Sequence, residues 1–157
     1  MVMNLIIAVA IMGAGLVTGL LFAFSNFVLQ SLADLPDDKG MYAMQRINKR
    51  IINPLFLALF MGTPGLCVVI AVSSLSVFGE PGALLKLLGS IAYIAGPFGI
   101  TVLFNVPLNN RLAAADLSAA SEVWPLYQKQ WQRWNHARTF IGAVAVVFLA
   151  AGLGASG

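Results

Sequence analysis

Apolar residues fill four long runs of this chain, at about 5–30, 54–78, 84–108 and 137–155. Polar residues gather between the first and second runs and between the third and fourth. A run of about 20 apolar residues crosses a hydrocarbon core, and a segment with no water to bond its backbone has to be helical. The expected fold is therefore all-α: a four-helix transmembrane bundle, one membrane domain over residues 1–157. The second and third runs are joined only by the turn Gly79-Glu80-Pro81-Gly82. Both polar intervals carry helical patterns of their own. The interval 37–52 opens on Asp37 and Asp38 and closes on Lys49 and Arg50, the order a helix dipole favours. It gathers Met41, Met44, Ile51 and Ile52 on one face with Asn48 among them. The interval 122–135 repeats Trp124, Tyr127, Trp131 and Trp134 in steps of three, four and three, one stripe at about 100° per residue. Asn135 and Arg138 continue that stripe, while Lys129, Arg133 and His136 turn away. Two short amphipathic helices on one membrane face are expected at these intervals.

Composition agrees. Hydrophobic residues make up 59% of the chain and charged ones 10%, against about 25% charged in a soluble domain; mean hydropathy is +0.86. The net charge of +3 does not point to nucleic acid, since no soluble domain is left to hold it. It acts instead as a topology signal. Lys39, Arg46, Lys49 and Arg50 lie in the first polar interval, and Arg111, Lys129, Arg133 and Arg138 lie in or beside the second; Lys86 alone falls elsewhere. By the positive-inside rule these intervals face the cytoplasm, which predicts both termini outward in the plasma (inner) membrane. The first run is read as a span and not a leader, because it lacks a basic start and exceeds the length of a signal core. Cys67, the single cysteine, allows neither an internal disulfide nor a dithiol pair.

Within the spans the informative residues are polar or small. Gly15 and Gly19 form GxxxG, with Ala23, Asn26 and Gln30 on the same face, a surface suited to close helix approach or to a homo-oligomer. Asn53-Pro54 reads as an N-cap followed by a proline at the first helical position. Thr101, Asn105 and Asn109 recur every four residues and share a face. Asn26, Asn48, Asn105, Asn109, Asn135 and Arg138 thus come from every helical region and collect at one end of the bundle. Intramembrane polar groups are costly and tend to mark sites, so a ligand pocket is expected there. Metal chemistry has little to work with: there is one histidine and one cysteine, and Asp34, Asp37, Asp38, Glu80, Asp116 and Glu122 all lie outside the spans. An amide-lined, aromatic-walled cavity with one guanidinium suits a flat, apolar molecule bearing oxygens, arriving from the bilayer.

Phe24-Ser25-Asn26-Phe27 after GxxxG, Met44-Gln45-Arg46-Ile47-Asn48, Asn105-Val106-Pro107-Leu108-Asn109 and Trp124…Trp131…Trp134-Asn135…Arg138 together resemble the anthrone oxygenase-like family of small four-span membrane proteins. The likeness covers nearly the whole chain. It implies oxidation of a polyketide anthrone to an anthraquinone with O2 as co-substrate and without metal, flavin or other cofactor, as in fungal members. Such a site needs donors for a developing oxyanion and exclusion of water. Asn105, Asn109, Asn135 and Arg138 match the donor role. Tyr127, Trp131 and Trp134 match ring stacking, and Asn26 and Asn48 further contacts. His136 suits general-base work, but the helical projection sets it on the polar face with Lys129, which argues against it. The competing expectation is a non-enzymatic bundle, a structural or lipid- and small-molecule-binding accessory protein.

Overall fold

The computed structural model describes residues 1–155. Among these, helices are joined by short turns and no strand occurs. The elements are α1 (Val2–Ala33), α2 (Asp37–Ile51), α3 (Pro54–Ser76), α4 (Ala83–Ala114) and α5 (Ala120–Gly154). All but α2 are long and apolar enough to cross a membrane, so the four-span all-α expectation is borne out. Asn53 caps α3 by accepting a hydrogen bond from the Phe56 N–H at 3.0 Å, with Pro54 at the first helical position. Between α3 and α4 the chain reverses through Gly79 and Gly82, at φ 107° and 77°, where a side chain would be strained.

The four long helices form a ring in the order α1, α3, α4, α5; α5 packs on α1 and α4, and α3 sits across from it. One half of the interior is filled by Ile7, Ala10, Ala14, Cys67, Ile70, Tyr93, Ala145 and Leu149. The other half is aromatic and sulfur-rich, with Met41, Met44, Trp124, Tyr127 and Trp131. Helix α2 closes this end. Gln45 Nε2 donates to the carbonyls of Leu112 at 2.8 Å and Ala115 at 3.2 Å, groups that a helix C-terminus leaves open.

The segment 122–135 differs from expectation in being no separate helix. It is the first half of the continuous 35-residue α5. Its Trp124, Tyr127 and Trp131 are buried against other helices, and that burial keeps the polar half of α5 folded onto the bundle.

The GxxxG expectation is corrected in direction. A Cβ built on Gly15 or Gly19 meets nothing within 4 Å, whereas one on Gly142 meets Thr18 and, at 2.9 Å, Pro97 Cγ. The buried stripe of α1 runs Ile7, Ala10, Gly13, Ala14, Val17, Thr18, Leu21. Gly15 is two residues out of phase with Gly13, about 200° around the helix, so spacing alone chose the outer face. Gly142→Val is expected to lower the melting temperature in detergent, overpacking costing about 1–3 kcal/mol, while Gly19→Leu leaves it unchanged. Equal melting of the two variants would show that this close approach is not needed.

Two wide, π-helical stretches interrupt the α geometry, Phe24–Val28 in α1 and Ile94–Asn105 in α4. The second contains Pro97, which lacks a backbone donor. Such turns free carbonyls and frequently occur at functional sites. Both face the same stretch of α5.

Candidate functional site

Arg138 stands at the centre of that stretch, 5% exposed. Its Nε and Nη2 both donate to Asn135 Oδ1, at 3.0 and 2.8 Å, and Nη1 donates to Thr101 Oγ1 at 2.7 Å. The guanidinium carbon lies 5.0 Å from the centre of the Trp131 ring, a cation–π distance. Among the described residues no carboxylate pairs with it. A guanidinium keeps its charge in the interior, and a buried charge without a counter-ion is costly. Its position in an apolar helix makes it a candidate functional group.

Asn135 hands the interaction on. Its Nδ2 donates to the Leu21 carbonyl at 2.9 Å and to Ser25 Oγ at 2.8 Å. Gln132 Nε2 donates to the Ser25 carbonyl at 3.2 Å. Side chains of α5 thus occupy backbone acceptors at and just before the wide turn of α1. That turn in exchange offers its serine hydroxyl to α5. Ser25 Oγ lies 3.2 Å from Thr139 Oγ1, and Thr139 Oγ1 donates to the Asn135 carbonyl at 2.7 Å.

A second polar link lies toward α2. The Tyr127 hydroxyl donates to Asn109 Oδ1 at 2.8 Å, and Asn48 Nδ2 approaches that hydroxyl at 3.4 Å. Asn105 Nδ2 donates to the Trp131 carbonyl at 3.3 Å, and its Oδ1 is buried without a partner. The rings of Trp124, Tyr127 and Trp131 stack in sequence at 5.7 and 6.3 Å.

The structure therefore divides the expected pocket. Asn105, Asn135 and Arg138 are buried, and Asn48 and Asn109 half-buried; Asn135 bonds to Arg138, Asn48 and Asn109 meet at the Tyr127 hydroxyl, and Asn105 bonds to the Trp131 backbone. Asn109 and Asn135 are satisfied by Tyr127, Arg138, Ser25 and the Leu21 carbonyl, while Asn105 Oδ1 is left without a partner. Trp134 leaves the inner stripe and stacks on Phe104 at 3.8 Å between centroids. Asn26 is exposed and lies beside His136 and Thr139, whereas Asn48 reaches Tyr127.

Two grooves lie on the other side of the Arg138 network, between the outer faces of α1 and α5. A groove of about 410 Å³ is lined by Phe22, Ser25, Asn26, His136, Thr139, Phe140 and Ala143. A second, of about 360 Å³, adjoins it with Gln30, Gln128, Lys129, Gln132 and again His136. These volumes fall at the lower end of ordinary ligand sites, about 300–1,000 Å³. His136 does sit on the polar face with Lys129, as the projection gave, but that face carries the grooves. Ser25 and Thr139 were not singled out from the sequence as site residues. Ser25 was visible only as part of the Phe24-Ser25-Asn26-Phe27 motif, and Thr139 carried no signal.

Fold and site define a class: a four-span helical membrane protein with an uncompensated arginine in its interior and a ring-walled groove beside it. Residues 56–148, more than half of the chain, match the sequence profile of the family described as anthrone oxygenase. The chain belongs to the anthrone oxygenase family. Neither a curated protein nor a solved structure matches it.

Proposed function

We propose that this protein oxidises a flat hydroxyaromatic of the anthrone type to its quinone with O2, in the groove between α1 and α5. The observation that carries the reading is the meeting of a histidine with two hydroxyls and two phenyl walls at one opening. His136, Ser25 and Thr139 line it together with Phe22 and Phe140. Phe22 and Phe140 are 56% and 72% exposed, so the groove opens sideways, the direction from which an apolar substrate leaves the bilayer.

His136 takes a proton from the benzylic carbon of the bound ring system. The electron pair delocalises onto the ring carbonyl oxygen, which lies at the hydroxyl end of the groove. The electron-rich anion passes one electron to O2, and the ring radical and superoxide join in a C–O bond. The imidazolium returns its proton to the peroxide. Loss of the second benzylic proton with O–O cleavage leaves the ketone and releases water. Substrate and O2 thus become quinone and water, and the substrate supplies both electron pairs with no further cofactor. Asn135 and Arg138 serve from behind the groove. Asn105, Asn109, Asn48, Tyr127, Trp131 and Trp134 hold the helices that shape it. The cation bias supports a placement of this end of the bundle at the cytoplasmic face, with both termini outward.

A structural or small-molecule-binding accessory role is favoured by one observation, the closed packing around Asn105 and Asn135. The groove outside that packing weighs against a purely structural role, and the histidine in its wall against simple binding. The test is direct. Membranes carrying the protein, supplied with anthrone-type substrates, should form quinone with matching O2 uptake above empty membranes. No excess over empty membranes across several such substrates would leave the accessory role as the better account.

A further inference from the structure

The hydrogens around Asn135 each have one possible place, and their arrangement bears on the groove assignment above, on which this inference rests. Arg138 can only donate, and it places two N–H groups on one atom of the Asn135 amide. That atom must be the oxygen, so the orientation of this amide is fixed by chemistry. Both amide hydrogens are then committed, one to the Leu21 carbonyl and one to Ser25 Oγ. On the far side, Thr139 donates its one proton to the Asn135 carbonyl at 2.7 Å, a group that can only accept. Between Ser25 and Thr139 the donor must therefore be Ser25.

Ser25 is left with a single proton and two destinations, Thr139 Oγ1 or whatever occupies the groove that both residues line. The internal contact is long, 3.2 Å, where hydroxyl pairs are normally about 2.7–2.8 Å apart. A ligand oxygen in the groove competes for that proton at little cost. We propose that Ser25 is the oxyanion donor of this groove, and that Arg138 acts on the substrate only through it, along the line Arg138, Asn135, Ser25. Each bond in the line polarises the next in the same sense. The charge of Arg138 reaches the groove as a strengthened hydroxyl, while the guanidinium stays out of contact with substrate. Ser25 is then a catalytic residue, and Asn135 and Arg138 are positioning residues.

The same arrangement gives the line a decisive variant. Asn135→Asp keeps size and shape and pairs well with Arg138. A carboxylate, however, has no hydrogen to give Ser25 and cancels the charge behind it.

Binding of the dye alizarin tests the inference without turnover, because this hydroxyanthraquinone changes colour when its phenol ionises. Bound to the wild-type protein, its apparent pKa should fall by about one unit or more, the scale of one charge-assisted hydrogen bond. Ser25→Ala and Asn135→Asp should bind the dye but lose that shift, and Ser25→Thr should recover part of it. His136 is the titratable side chain lining the groove beside Ser25, and Lys129 lies in the adjoining one. His136→Gln and Lys129→Gln are therefore titrated in parallel and should retain the Ser25-dependent part. An equal shift in wild type, Ser25→Ala and Asn135→Asp overturns the relay and leaves the groove assignment standing. Failure of the wild type to bind the dye at all overturns the groove assignment and the relay with it. If Asn135→Asp does not fold, the comparison of Ser25→Ala with Ser25→Thr decides alone.

Discussion

His136→Gln should lower quinone formation by about 10²–10⁴-fold, the usual contribution of a general base, with almost no change in melting temperature. The two halves of this expectation come from one geometric fact. The imidazole is exposed, lines both grooves and makes no hydrogen bond to any described residue. Exposed substitutions of that kind usually stay within about 0.5 kcal/mol, so the fold should not register the loss. Glutamine retains a polar head of similar reach, but it cannot accept a proton from carbon. O2 uptake and quinone absorbance give the rate, and thermal unfolding in detergent gives the control. A substrate deuterated at the benzylic carbon should slow the wild type, since that bond breaks in the step His136 assists. Wild-type rates in His136→Gln would move the base elsewhere and remove the chemical reason for placing substrate between α1 and α5.

The parts of this molecule legible in the sequence are those set by local periodicity. Thr101, Asn105 and Asn109 share a face by spacing, and all three reach α5: Thr101 to Arg138, Asn105 to Trp131, Asn109 to Tyr127. Arg138 was placed with the aromatics by the same arithmetic and lies over Trp131. Gly15, Gly19, Ala23 and Asn26 were also grouped correctly, yet their face points outward, because periodicity gives the phase of a stripe and not the neighbour it meets. The groove was hidden for a related reason. It is a shape between the outer surfaces of two helices distant in the chain, and its hydroxyls look ordinary where they occur. Thr139 bonds its own backbone four residues earlier, as threonines in apolar helices do. Only the partner helix reveals that this leaves the Ser25 proton free to turn. The wide turn Phe24–Val28 that aims Ser25 has no spacing signal, since the Ser25 carbonyl within it and the Leu21 carbonyl just before it are bonded by Gln132 and Asn135 from more than a hundred residues away.

Arg138→Lys should reduce both turnover and stability, and Arg138→Met separates the two. The guanidinium makes three hydrogen bonds to two groups on different helices while its plane covers the Trp131 indole. An ammonium on a flexible stem is a point donor and cannot bridge Asn135 and Thr101 with the same fork. Asn135 Oδ1 then loses a donor inside the bundle, at about 1–3 kcal/mol, while the Thr101 hydroxyl keeps its bond to the Pro97 carbonyl. Turnover should fall by about 10²–10³-fold, the effect of losing one preorganised donor to an oxyanion, because the Asn135 amide is no longer held against Ser25. Methionine removes the charge altogether. Since no carboxylate among the described residues pairs with Arg138, its removal strands no opposite charge there and relieves the cost of burying the cation. The melting temperature of Arg138→Met should therefore be no lower than that of Arg138→Lys, although its turnover is equally poor. A structural arginine would give the opposite order, with methionine the less stable and lysine close to wild type in rate. Unfolding curves and O2 uptake on the two variants decide between these outcomes, and wild-type turnover in Arg138→Lys would show that the planar fork has no part in the reaction.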